Sequence, residues 1–266
     1  MTAALRAALG RHQFLSLLAL AVLVVMAWAW LLSGGGMSGS PEFAAPVDQS
    51  SAGMNGMAMP SPAQMSPPPF VLVFTMWWVM MVAMMLPSAA PTVLLYGRTA
   101  SRSPAPVQAR TGWFLAGYLL AWGGFSLAAA VLQLLLDHFR LLAPMAMQLD
   151  SRVATGAVLV CAGIYQISPL KTMCLRHCRS PAQFLVRHYR PGRRGALTMG
   201  LIHGAYCVGC CWLLMALLFA GGVMNLAWIA ALTLAVAADK LLPFGRVLSL
   251  VAGLAFIGFG VWIAMS

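Results

Sequence analysis

The 266-residue chain is 61% hydrophobic and only 8% charged, against about 25% charged residues in a soluble globular protein. That composition excludes an ordinary soluble domain and points to a helical membrane protein, because lipid-exposed backbone must satisfy its own hydrogen bonds. The formal net charge of +11 would suggest nucleic acid in a soluble chain, but the basic residues are placed as a membrane topology places them, so no nucleic-acid partner is expected.

Runs near the roughly 20 apolar residues needed to cross a bilayer occur at 13–32, 70–95, 112–136, 152–168, 196–222, 224–241 and 246–265. The expected fold is an all-α, polytopic transmembrane bundle of about seven spans, or six if the first is cleaved. Residues 1–32 read as an N-terminal membrane anchor. Arg6 and Arg11 precede its apolar stretch as in a signal peptide, but the run is long for an h-region and SGGGMSGS offers no clean cleavage site. Residues 33–69 are rich in Gly, Ser, Pro and Ala and read as a disordered periplasmic segment. They carry Met37, Met54, Met57, Met59 and Met65. Residues 70–266 read as a metal-binding transmembrane domain.

The second span contains TMWWVMMVAMMLPSAAP. Met76, Met80 and Met84 recur every fourth residue and so share a helix face, which Met81 and Met85 extend. Trp77 and Trp78 mark an interface or pack internally, and Pro87 and Pro91 are expected to kink or end the helix. The third span offers Gly112, Ala116, Gly117, Gly123 and Gly124 for close helix approach, and the last offers Gly253, Gly258 and Gly260. The fourth ends in YQISPLK, and a cytoplasmic loop begins KTMCLRHCRSP. No inverted repeat of the transporter kind is evident.

With the gaps between spans numbered alternately from inside, all of the 16 Lys and Arg except Arg140 and Arg152 fall in the inner set. The positive-inside rule then puts the N-terminus in the cytoplasm and the C-terminus outside a bacterial inner membrane. The basic 169–195 loop is also suited to anionic lipid.

The fifth span holds HGAYCVGCCW. On a helical wheel with Met199 at zero, Cys210, His203, Cys207 and Cys211 fall at about 20°, 40°, 80° and 120°. Soft ligands thus occupy about a third of one helix, with Gly200 and Gly204 beside them. Thiolate, thioether and imidazole suit Cu(I), and thiolate and imidazole also suit zinc. A bound cation removes the cost of a thiolate in an apolar run. A lone buried cysteine is usually a small hydrophobe, and Cys161 reads that way. Three cysteines in five residues, one turn after a histidine, do not. Cys174 and Cys178, with His177, form a second candidate cluster on one helical turn in a reducing compartment. Its neighbours Lys171, Arg176 and Arg179 favour thiolate. The secondary candidates are Met76, Met80, Met84, Met199, His177, Met54, Met57 and Met59. For the span-two methionines core packing is an equal reading, and for the outer ones a plain linker is. Asp239 and Lys240 read either as an interfacial charge pair or as groups serving protons or a ligand.

In these elements the chain resembles the bacterial integral membrane proteins known as predicted metal-binding membrane proteins, a family without a settled function. The resemblance rests on MWWVMMVAMMLPSAAP, YQISPLKTMCLRHCRSP, HGAYCVGCCWLLMALLFAGGVMNLAW and the ADK at 238–240, and covers most of residues 70–250. It implies metal binding by Cys174, Cys178, Cys207, Cys210 and Cys211, with His203 added. The leading expectation is a copper-handling protein that binds Cu(I) and exchanges it with a copper chaperone or cuproenzyme, with zinc or haem as lesser candidates. Two other readings compete. One is a membrane thiol–disulfide oxidoreductase using Cys207 and Cys210. The other is an accessory subunit or oligomer packing through its small-residue faces.

Overall fold

The computed structural model describes residues 3–34, 69–100, 107–143 and 147–266. The methionines at 37, 54, 57, 59 and 65 lie outside them. The described chain is a helix bundle. Its helices are α1 (Ala3–Leu32), α2 (Phe70–Ala100), α3 (Val107–His138), α4 (Arg152–Ile167), α5 (Pro169–Arg179), α6 (Pro181–His188), α7 (Gly192–Ala216), α8 (Leu218–Gly221), α9 (Leu226–Leu241) and α10 (Gly245–Met265). Between α3 and α4 the short strands β1 (Leu142–Ala143) and β2 (Gln148–Leu149) pair antiparallel.

Among the described residues five helices, α1, α2, α3, α7 (continued by α8) and α10, are long and apolar enough to cross a membrane. A sixth span exists if the bent pair α4–α5 counts as one. The expected spans 152–168 and 224–241 form α4 and α9, each of 16 residues and within two residues of the expected bounds. Helix α4 ends at Ser168, whose backbone is extended as the residue before Pro169 must be, and whose Oγ accepts from the Lys171 amide at 3.3 Å. One serine thus stops α4 and caps α5, and the chain turns by 62°. Helix α9 starts at Leu226, because Gly222 takes a positive φ of 93° and Asn225 caps the next turn through Trp228 N. Its 16 residues span only about 24 Å.

Helix α2 runs through both Pro87 and Pro91 rather than ending there. The stretch read as a cytoplasmic loop after Pro169 is instead two helices, α5 and α6. Ser180-Pro181 repeats the break between them, and α5 packs on α7.

The most extensive helix contacts are α3 with α7 and α4 with α10. Both are glycine interfaces. A Cβ on Gly200 would lie 1.9 Å from the Phe114 carbonyl oxygen, and one on Gly117 would lie 2.1 Å from that of Leu197. Across α4 and α10, Gly156 meets Gly260 and Gly163 meets Gly253, backbone to backbone. Of the other expected contact glycines, Gly112, Gly124 and Gly258 have nothing within 4 Å. Helix α1 packs on α2 along the buried face of Leu20, Ala27 and Leu31, and Arg98 reaches back to Gln13 Oε1 at 3.1 Å.

Candidate metal centre

The centre lies where α2, α3, α5, α7 and α9 converge. Helix α7 supplies Cys207, Cys210 and Cys211, all buried, because the small residues Gly200 and Gly204 on the same side let α3 close over them. Helix α5 supplies Cys178, half-buried, whose thiol faces those of Cys207 and Cys210. Two clusters separate in sequence are therefore one in space. Cys174 lies one turn back, its Sγ 3.0 Å from where a Cβ on Gly209 would sit. It flanks the group without joining it as closely.

Helix α3 adds Tyr118. Its hydroxyl donates to the Met85 carbonyl at 3.2 Å and lies 3.1 Å from Cys207 Sγ. Helix α2 adds Met85, whose Sδ is 3.9 Å from Cys211 Sγ. Helix α9 adds Lys240, whose ammonium is 2.9 Å from Cys207 Sγ, 3.3 Å from Ser88 Oγ and 3.9 Å from Met85 Sδ. The Cys210 and Cys211 thiols donate to the Cys207 carbonyl at 3.1 and 3.0 Å. That back-bonding is how a thiol in a helix satisfies itself. It turns two sulfurs toward the backbone, and among the described residues no three His, Cys, Asp or Glu side chains form a ready-made metal cage.

His203 sits one turn from Cys207, 2% exposed, among the rings of Phe114, Tyr118 and Phe184. Its Nδ1 is buried with no hydrogen-bond partner among the described residues, a cost normally avoided. His177 is placed elsewhere. It stacks on Tyr206 with ring centroids 4.1 Å apart and bonds the Met173 carbonyl at 3.0 Å. Met199 is buried but accepts from the Arg190 amide at 3.3 Å. Met76, Met80 and Met84 are all buried, yet it is Met85 that stands beside a cysteine.

Asp239 and Lys240 do not pair with each other. Consecutive helix positions diverge by about 100°, so Lys240 enters the thiol group and Asp239 points away. Asp239 Oδ2 is 2.5 Å from Lys171 Nζ, and Ser249 Oγ donates to its Oδ1 at 3.1 Å. Lys171 also bonds Gln166 and Ser249. This buried network ties α4, α5, α9 and α10 together, and so fixes the helix that carries Cys178.

Sequence reasoning missed Tyr118, which is an unremarkable residue in an apolar span, and Lys171, which carried only a loop-like basic signal. Residues 74–263 match the model of a protein family described as PpoB2, a copper chaperone. The chain belongs to the PpoB2 copper chaperone family. The match covers α2 to α10 apart from their outermost turns, includes every residue of the thiol group, and leaves out α1 and the methionine-rich segment. No curated protein and no solved structure matches the chain.

Proposed function

We propose that this member of the copper chaperone family is embedded in the bacterial inner membrane and carries copper as Cu(I). The ligands are thiolates drawn from Cys178, Cys207, Cys210 and Cys211, with the Met85 thioether and His203 as neighbours. The observation that carries this reading is the meeting of α5 and α7 thiols at one buried point beside a thioether. Soft sulfur ligands select Cu(I) over harder cations. Cu(I) is satisfied by two or three of them, so a group of four offers a spare. A spare ligand permits handover by exchange, one sulfur at a time, without releasing the ion. Cys178 is the least enclosed of the four and suits the entry and exit position.

Charge supports the same reading. Two thiolates and one Cu(I) carry a net charge of −1, which is costly in a buried site. The Lys240 ammonium restores neutrality beside the Cys207 sulfur. Nearby, the unpartnered Nδ1 of His203 is free to accept a cation.

The test is anaerobic purification in detergent and elemental analysis, beside a Cys207/Cys210/Cys211→Ser variant. The expected result is about one copper per chain, lost in the variant. Copper-free protein after Cu(I) loading would overturn the proposal. Pairwise Cys→Ser changes separate it from a thiol–disulfide oxidoreductase. Such an enzyme fails completely when either member of one pair is lost, whereas a site with a spare ligand weakens by degrees.

A further inference from the structure

A second feature lies beside α5. An open cleft of about 400 Å³ runs between α4, α5 and the start of α10, and Lys171, Arg176, Arg179 and Arg246 line it. Lys171 is neutralised by Asp239. The three arginines are not neutralised in this way: the Lys171–Asp239 pair accounts for the carboxylate at this end of the bundle. The chain has only five acidic residues. Of the others, Asp137 lies at the far end of α3 and Asp150 just before α4, a full helix length away. Glu42 and Asp48 precede α2, outside the described residues. Among the described residues no carboxylate pairs with Arg176 or Arg246, and Arg179 instead donates to the Leu242 carbonyl. The positive end of α10, which begins without a side-chain cap, adds to the same field.

The cleft is also amphiphilic. Beside the arginines its walls are apolar, and Ile167, Val247 and Leu250 are 42%, 60% and 46% exposed. These side chains continue onto the outer faces of α4 and α10. A free phosphate would satisfy the arginines and leave that wall uncovered. A phosphodiester carrying acyl chains satisfies both.

We propose that this cleft binds the headgroup of an anionic glycerophospholipid, with its phosphate at Arg176, Arg179 and Arg246 and its acyl chains along α10. The bound lipid is a counter-charge that the described residues lack, and it braces α5, the helix that carries Cys178. The inference rests on the reading of the chain as membrane-embedded and is independent of copper.

The test is native mass spectrometry of the full chain in detergent. It is titrated with phosphatidylglycerol, with phosphatidylcholine of the same acyl chains, and with glycerophosphoglycerol, which has the headgroup and no chains. One phosphatidylglycerol should bind at least about tenfold more tightly than phosphatidylcholine. Arg176→Gln/Arg246→Gln should weaken it about tenfold or more, since each basic side chain near an anionic headgroup contributes about a factor of five. Arg176→Lys/Arg246→Lys should retain most of the binding. Equal binding of the two lipids overturns the proposal, as does phosphatidylglycerol binding that survives the glutamine changes. Glycerophosphoglycerol binding as tight as the lipid's would also overturn it, by reassigning the cleft to a soluble phosphodiester. If the glutamine variant does not fold, the lipid comparison on the unaltered chain still decides. Partition of the chain into detergent micelles reports separately on the membrane reading.

Discussion

Lys240 places a cation between two sulfurs, 2.9 Å from Cys207 and 3.9 Å from Met85. In a medium of low dielectric its charge matters more than its hydrogen bonds. Lys240→Met should therefore reduce Cu(I) retention by at least about tenfold, because the loss of one partner from a buried charge group costs several kcal/mol. Competition with a Cu(I) chelator reads this directly, with thermal stability measured alongside. Retention equal to that of the unaltered chain would show that the site is neutralised by another group. The methionines teach a different lesson at this scale. Five occur on one helix face in the sequence, all are buried, and the side chain beside Cys211 is the last of them. Periodicity identifies a face. Which turn of that face meets a neighbour depends on where the neighbouring helix crosses.

At the scale of elements, the centre depends on how closely α3 lies on α7. The approach is set by backbone, since a Cβ at Gly200 would overlap the Phe114 carbonyl. Gly200→Val should force the pair apart, carry Tyr118 away from Cys207 and reduce both the folded yield and the copper bound. Gly124→Ala, on the same α3 but with nothing within 4 Å, should leave both unchanged. Size-exclusion profiles and copper content of the two variants compare them, and equal behaviour would refute the close-packing account. Glycines 117, 200, 253 and 260 were legible as close-packing positions from their setting in apolar spans, but their partners were not. The expected fourth and sixth spans, 152–168 and 224–241, lie within two residues of α4 and α9, because the Ser168-Pro169 and Gly222 breaks coincide with the ends of the apolar runs. Within the fourth, the Ser-Pro break was visible, but the helix that follows it was polar enough to read as a loop.

For the whole molecule, the distribution of Lys and Arg predicts an orientation. Reporter fusions should place the 169–195 segment in the cytoplasm and the C-terminus outside. A fusion after residue 266 that is active only in the cytoplasm would contradict this, and would point to α9, at 16 residues, as a helix that does not cross. The sequence by itself determined that the chain is an apolar helical bundle, where its soft donor atoms are, and that those of α7 share a face. Composition and helical periodicity are local properties, carried by each segment before it meets another. Only the tertiary structure decided that Cys178 joins Cys207, that Met85 is the thioether at hand, and that adjacent Asp239 and Lys240 serve different groups. Those facts depend on the crossing of α2, α3, α5, α7 and α9, and a crossing is a property of two surfaces that no single segment contains.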